Sequence, residues 1–339
     1  MKLHSSIIDN RESIEWILIA KGIGVILVVT GHFRPDTSPY YWHKIVNIIY
    51  LFHMPLFFIL SGYLYTYDKY PYIELIKKKM NRLLYPFISI AFLFFFIKFY
   101  TGKILALEHP VDILSIYTII TDPVNSYMPL LWFIHTLFII FAIYPFIITF
   151  ISNIFIGNVF IGNVFMLIFI LIINVIFKND YLIFEKAFCY IPFFITGLIL
   201  RDINVYLMID YKRSRFFAQL SLLPLLYLFQ VSYFNHFFMG IIGSLAIICI
   251  SHFMTTISVK NVKEIFVSVG YYSMSIYLFH TLFESMVRLL FFQVIKIDKI
   301  PFLFIAFFAI TCGVIFPLMC EKKIFRRFFL TRRLLLGIS

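Results

Sequence analysis

Lys21-Gly22-Ile23-Gly24-Val25-Ile26-Leu27-Val28-Val29-Thr30-Gly31-His32-Phe33 sets a cation and an imidazole into one apolar run. Eleven residues separate Lys21 from His32. At 3.6 residues per turn this is almost three turns. A helix over the run therefore puts both side chains on one face, about 16 Å apart along the axis. Val25 and Val28 fall between them on the same stripe. A lysine inside a spanning helix costs about 2.5 to 3.5 kcal/mol on insertion scales, so this stripe is expected to face protein or water, not lipid. The alternative is a Lys21 that snorkels to the interface and a His32 that caps the helix end there.

The rest of the chain is built for the same solvent. Of 339 residues 62% are hydrophobic and only 14% charged, against about 25% charged in a soluble domain. Mean hydropathy is +0.93. At about 20 apolar residues per span, the fold class is an all-α, polytopic membrane bundle of about ten helices. Apolar periodicity places the spans over 14–33, 44–66, 83–100, 129–151, 158–177, 183–200, 216–232, 235–254, 266–293 and 301–320. They form a single integral-membrane domain over 1–339, with a short basic tail from about 321. No small-residue cleavage site follows the first run, so it is expected to be a retained span and not a signal peptide.

The net charge of +12 points to topology and not to nucleic acid, because the cations gather in a few loops and the tail. With the N-terminus in the cytoplasm, 19 of the 29 Lys and Arg lie inside and eight outside, leaving Lys21 and Arg288 within spans. The positive-inside bias then puts both termini of a multi-pass protein in the cytoplasm. The longest outward loop, roughly 101–128, carries Glu108, His109, Asp112 and Asp122. It is the one external segment expected to be long enough to cover a site. The tandem Ile-Gly-Asn-Val-Phe at 156–165 is too short for a structural repeat and reads as a local duplication at a turn. Cys189, Cys249, Cys312 and Cys320 have no paired spacing and suggest neither a disulfide framework nor a metal site.

Within the second span, Phe52-His53-Met54-Pro55 places a histidine beside a proline expected to kink the helix. Ser61-Gly62 follows, where small residues would let a neighbouring helix approach. At the start of the third span, Lys79 and Arg82 stand three apart, a spacing that shares a helical face and suits a grip on phosphate. Lys77 and Lys78 read as topogenic charge. Trp132 opens the fourth span and fits an interfacial belt as well as a binding site. In the ninth, Ser273, Tyr277 and His280 lie near one face, and Glu284 and Arg288 are spaced to pair. No carboxylate pair, Gly-rich phosphate cradle, nucleophile elbow or metal-ligand spacing appears. Glycosidase, kinase and metalloenzyme chemistry are left without support.

These residues resemble the acyltransferase-3 family of integral membrane acyltransferases. Lys21-x10-His32 is similar to its Arg/Lys-x10-His signature. The likeness continues through Phe57-Phe58-Ile59-Leu60-Ser61-Gly62-Tyr63, Leu131-Trp132-Phe133 and Ser275-Ile276-Tyr277-Leu278-Phe279-His280. The Lys-Gly-Ile-Gly opening is similar to the branch that includes fucose 4-O-acetylase-like proteins. The resemblance implies transfer of an acyl group, most often acetyl from cytosolic acetyl-CoA, to a hydroxyl of a cell-surface polysaccharide or lipid-linked glycan. No bound cofactor is implied, and the expected partners are the donor, the glycan and membrane lipids.

In that reading His32 is the general base, since an imidazole with an ordinary pKa of about 6.5 takes a proton readily near neutrality. Lys21, with Arg82 and Lys79, holds the donor. The family's Arg-x-x-Arg is Lys79-x-x-Arg82 here, and a lysine gives up the bidentate fork. His53, Ser61, Trp132, Tyr277 and His280 are expected to line the channel. Many members add a periplasmic hydrolase-like domain. This sequence shows none, so the membrane domain is expected to finish the transfer itself or hand the acyl group to a partner. The alternative function is a transporter or flippase that moves an acyl carrier or lipid-linked sugar without chemistry.

Overall fold

The computed structural model describes residues 2–66, 71–101, 111, 114–154, 158–176, 185–203, 236–256, 260–294 and 301–337. Every regular element among them is helical. The helices are α1 (Lys2–His32), α2 (Tyr40–Tyr63), α3 (Tyr72–Lys79), α4 (Tyr85–Thr101), α5 (Ser115–Thr121), α6 (Trp132–Ile154) and α7 (Val159–Ile176). They continue with α8 (Glu185–Asp202), α9 (His236–Thr256), α10 (Lys260–Tyr271), α11 (Ser273–Arg288), α12 (Phe302–Cys320) and α13 (Phe329–Leu336). Prolines 39, 71 and 301 stand just before α2, α3 and α12. There the missing N–H is not needed and the fixed φ suits a helix start.

Among the described residues six stretches are long and apolar enough to cross a membrane: Glu15–His32, Tyr40–Tyr63, Tyr72–Tyr100, Pro129–Ile151, His236–Thr256 and Phe302–Phe325. The runs expected at 158–177 and 183–200 are helical as α7 and α8. The apolar part of α7 spans only Val159–Asn174, and α8 carries Glu185, Lys186, Arg201 and Asp202 at its ends. The expected span 216–232, the loop 204–215 and most of the outward loop, including Glu108, His109 and Asp112, lie outside the described residues.

The single span expected over 266–293 is a correction. It is two helices, Asn261–Tyr271 and Ser273–Phe291, meeting at 83°. Tyr272, at φ −94° and ψ 11°, leaves the helical region. Gly270 supplied the stop signal, a glycine near the end of a periodic run, but the continuous apolar pattern on both sides masked it.

The chain forms two compact units, the first from Met1–Ser61 with Leu200–Lys322, the second from Gly62–Ile199 with Lys323–Ser339. In the first, α1 is the central element and packs against α9, α10, α11 and α12. Its closest neighbour is α10, because two glycines meet at the crossing. A Cβ on Gly270 would overlap the carbonyl oxygen of Leu18, and one on Gly22 would overlap that of Phe266. Lys263 and Glu15 add an ion pair of 3.1 Å between the same helices. At the other end of α1, Phe33, Trp42, Val46, Val287, Ile305, Ala306, Ala309 and Cys312 make one buried cluster. The Trp42 indole donates to Phe33 O at 2.8 Å and so ties down the helix terminus.

In the second unit the core is aromatic. Tyr65, Phe141, Tyr144 and Phe194 pack with ring centroids 5.3 to 6.0 Å apart. The Tyr144 hydroxyl donates to Oδ1 of the fully buried Asn163 at 2.8 Å. Gly62 lets the end of α2 touch the backbone of α8 at Phe194, the close approach expected of Ser61-Gly62. Tyr127 donates to Ala91 O at 3.0 Å and Lys98 to Tyr127 O at 2.6 Å, which ties the segment before α6 to α4.

The α1–α10 crossing generates a stability test. Gly270→Ala puts a methyl group against backbone that cannot rotate away, and overpacking of this kind costs about 1 to 3 kcal/mol. Gly24→Ala meets only the Leu56 and Phe57 side chains, at 3.0 to 3.2 Å, and is expected to lose less. Thermal unfolding of the purified variants in detergent checks the order. A Gly270→Ala protein as stable as the parent would contradict the crossing.

Candidate functional site

Two groups of the expected site residues assemble, one in each unit. The first is built on α1, α2 and α11. Since α1 runs unbroken from Lys2 to His32, the three-turn spacing of Lys21 and His32 holds. Val25 and Val28, between them, are fully buried, so the stripe does face protein. Lys21 is half-buried beside Gly22 at the crossing with α10, while His32 exposes its ring.

His32 is the hub of a ring cluster. Its centroid lies 5.2 Å from His280 on α11 and 6.2 Å from Tyr50 on α2. Tyr50 in turn lies 4.9 Å from His53, and Tyr277 6.5 Å from His280. Gly31 makes room for this arrangement, since a Cβ there would be 3.2 Å from Tyr50 Cε2. Arg34 sits over the Tyr50 ring at 5.6 Å and reaches Asn47 Oδ1 at 3.4 Å, which adds a cation at the exposed edge.

The hydrogen bonds fix two of the three imidazoles. His280 Nδ1 lies 3.0 Å from Ile276 O and 2.9 Å from Tyr277 O. A carbonyl only accepts, so Nδ1 carries the proton and Nε2 the lone pair. His280 is fully buried, and its Nε2 has no hydrogen-bond partner among the described residues. His53 is 2% exposed and places Nδ1 2.7 Å from Ile49 O, with the same consequence for its tautomer. The constellation is an accessible imidazole next to a buried one whose basic nitrogen is open.

Glu284 lies one turn beyond His280 and packs against α12, where a Cβ on Gly313 would be 3.3 Å from its Oε1. Of the pairing expected between Glu284 and Arg288, the charge of Arg288 does act on the Glu284 carboxyl, but no contact ion pair forms among the described residues. Glu284 is 5% exposed and its Oε1 has no hydrogen-bond partner among the described residues, whereas Arg288 is exposed. The carboxyl packs inward against α12 while Arg288 is exposed at the end of α11, so four-residue spacing brings the charges near without closing a contact pair.

The second group lies in the other unit. Lys79 ends α3, and its Nζ stands 3.4 Å from the centroid of Phe141, a cation–π contact. Arg82 lies in the turn Met80–Leu84, which is wound as a π-helix, and is exposed. Hydrogen bonds to the fifth residue along reset which side chains align. Lys79 and Arg82 therefore do not share the face that α-helical spacing predicts: one covers an aromatic core, the other reaches outward. Trp132 is half-buried with its ring 5.0 Å from Tyr190. Ser61 is half-buried and ends a segment of the first unit.

Sequence reasoning missed Tyr50 and Arg34. Tyr50 stands three residues before His53, on the same face of α2, and that spacing was the available signal. Arg34 was counted only as an outside charge.

The model of the acyltransferase-3 family, described as an acyltransferase domain, matches residues 14–320. No curated protein and no solved structure is significantly similar to the chain.

The Glu284 geometry is open to test. Arg288→Ala is expected to leave thermal stability unchanged, and Glu284→Gln, which keeps shape without a charge to bury, is expected to retain it. A fall of several degrees in the melting temperature of Arg288→Ala would show that the two are paired after all.

Proposed function

This chain belongs to the acyltransferase-3 family and is a membrane acyltransferase; we propose that it moves an acetyl group from acetyl-CoA to a hydroxyl of a cell-envelope glycan. The acceptor class is an O-antigen, a capsule or another lipid-linked sugar. The Lys-Gly-Ile-Gly opening supports placing it near the fucose 4-O-acetylase-like branch.

The observation that carries this reading is the exposed His32 ring, 5.2 Å from a buried His280 whose Nε2 is without a partner among the described residues. His32 removes the proton as the sugar oxygen attacks the thioester carbonyl. The new C–O bond forms, the C–S bond breaks, and the proton taken up by the imidazole passes to the departing CoA sulfur. His280, held by two backbone carbonyls, presents a lone pair and no proton toward the cluster, so it supports the neutral, proton-accepting form of its neighbour. Arg34 and Tyr50 stand at the accessible edge, suited to a polar hydroxylated acceptor. Lys21 keeps its place as a cation on the same stripe of α1. Arg82, the outward cation of its turn, holds the donor's phosphates, and Lys79 takes part only by leaving the Phe141 ring. His53, Ser61 and Tyr277 are the further candidates for substrate contact in the first unit, and Trp132 in the second.

The same reading puts both termini and the 67–82 segment at the cytoplasmic face of the inner membrane, on the strength of 19 cations against eight. A cysteine placed near residue 110 is then labelled from outside, while one at 78 is spared. Strong external labelling at 78 would reverse the side from which the donor enters.

Purified protein given labelled acetyl-CoA and a glycan acceptor tests the reaction itself. Loss of thioester with label on the glycan is the expected result. Movement of glycan across a reconstituted bilayer without thioester loss would favour the carrier function instead.

A further inference from the structure

The tail helix α13 (Phe329–Leu336) is built onto the turn that carries Arg82, and the acetyl-CoA reading of that turn does not use it. Leu336 is buried, and Thr331 Oγ1 bonds Phe325 O at 2.7 Å and Phe328 O at 3.0 Å, which fixes the approach to the helix. The helix packs along α4 and ends at Gly337, whose φ of +62° is left-handed. Gly337 lies directly on Asn81 O and the Arg82 backbone, where any Cβ would overlap them. Only glycine meets both the dihedral angle and the contact. The tail is thereby locked to the Arg82 turn by backbone.

This junction gathers positive charge that no carboxylate among the described residues pairs with. Arg333 lies over the Tyr85 ring at 5.7 Å, three residues along from Arg82. Arg332 lies over Phe329 at 5.9 Å. Its Nε is buried and has no hydrogen-bond partner among the described residues. None of Arg82, Arg332 and Arg333 forms an ion pair with a carboxylate among the described residues. A guanidinium that withdraws a donor from water without a partner points to a missing acceptor. Two arginines of the tail helix and a third on the turn that this helix caps suit a phosphate, whose oxygens match the planar fork.

We propose that Arg332 and Arg333 of the tail helix complete, with Arg82, a phosphate-binding site, and that the phosphates it takes are those of the acyl-CoA donor. This rests on the donor reading above. Anionic lipid headgroups offer the same chemistry from another source.

Full-length protein in detergent is titrated with coenzyme A and with 3′-dephospho-coenzyme A, the wild type against Arg332→Gln/Arg333→Gln. Loss of charge-assisted hydrogen bonds is expected to weaken coenzyme A about ten- to a hundred-fold, with the melting temperature unchanged. The preference for coenzyme A over its dephospho form is expected to shrink in the same variant. Arg332→Lys/Arg333→Lys keeps the charge without the fork and is expected to fall between the two.

Unchanged coenzyme A affinity in the well-folded glutamine variant overturns the proposal, even if wild-type protein turns over acetyl-CoA. Wild-type protein that binds no coenzyme A at all would instead overturn the donor reading on which it rests. The lipid source is read in nanodiscs of phosphatidylcholine with and without phosphatidylglycerol. A tail substitution that alters only the dependence on phosphatidylglycerol, leaving coenzyme A binding intact, would assign the arginines to lipid and overturn the donor assignment.

Discussion

The backbone contact between Gly22 and Gly270 is the constraint on which the first unit depends. In a bilayer no hydrophobic force draws apolar helices together, so close packing has to supply the association. Side chains on either glycine would push α10 off α1. With the crossing in place, Lys21 lies at the contact and His32 follows three turns along the same face. The chain turns through 83° immediately after Gly270, and that turn sets the direction of α11, which brings His280 to within 5.2 Å of His32. Trp42 pins the opposite end of α1 through Phe33 O. Position at one end and capping at the other leave the His32 ring little freedom except at its exposed edge.

Chemistry in such a site follows from which polar atoms are already used. Helix carbonyls take the Nδ1 protons of His53 and His280. That fixes two imidazoles as acceptors at Nε2 without a carboxylate to orient them. The second unit handles charge differently. Lys79 satisfies its ammonium on the Phe141 ring, which leaves its neighbour Arg82 as the outward cation of the turn. A π-wound turn is what separates the two.

Much of the fold was legible because lipid imposes strict rules on sequence. Apolar runs of span length gave the helix positions, and Val25 and Val28 gave the buried stripe of α1 correctly. The break at Tyr272 was harder to read, because the residues on both sides are equally apolar and only Gly270 marks it. The π-turn at Met80–Leu84 has no compositional signature, so the shared face assumed for Lys79 and Arg82 followed α-helical spacing into error. The same limit applies to Glu284 and Arg288, whose spacing is right for a pair but whose surroundings differ, one packed against Gly313 and the other exposed. His280 was named from sequence only as a lining residue. Its open Nε2 depends on carbonyls that come into range only when the helix forms. The spacing of Tyr50 to His53 marked a shared face of α2, but the place of Tyr50 and Arg34 beside His32 depends on the nearness of α1 and α2, which local spacing does not encode.

The central claim is that an imidazole on α1 accepts the acceptor hydroxyl's proton, and His32→Gln tests it most directly. Glutamine keeps much of the shape and hydrogen bonding but takes up no proton near neutral pH. With reconstituted protein, labelled acetyl-CoA and a glycan acceptor, transfer is predicted to fall by about 10²- to 10⁴-fold, the usual contribution of a positioned base. Melting temperature and coenzyme A binding should stay at the wild-type level. Acetylation near the wild-type rate in that variant would contradict the account and move the base to His280 or His53.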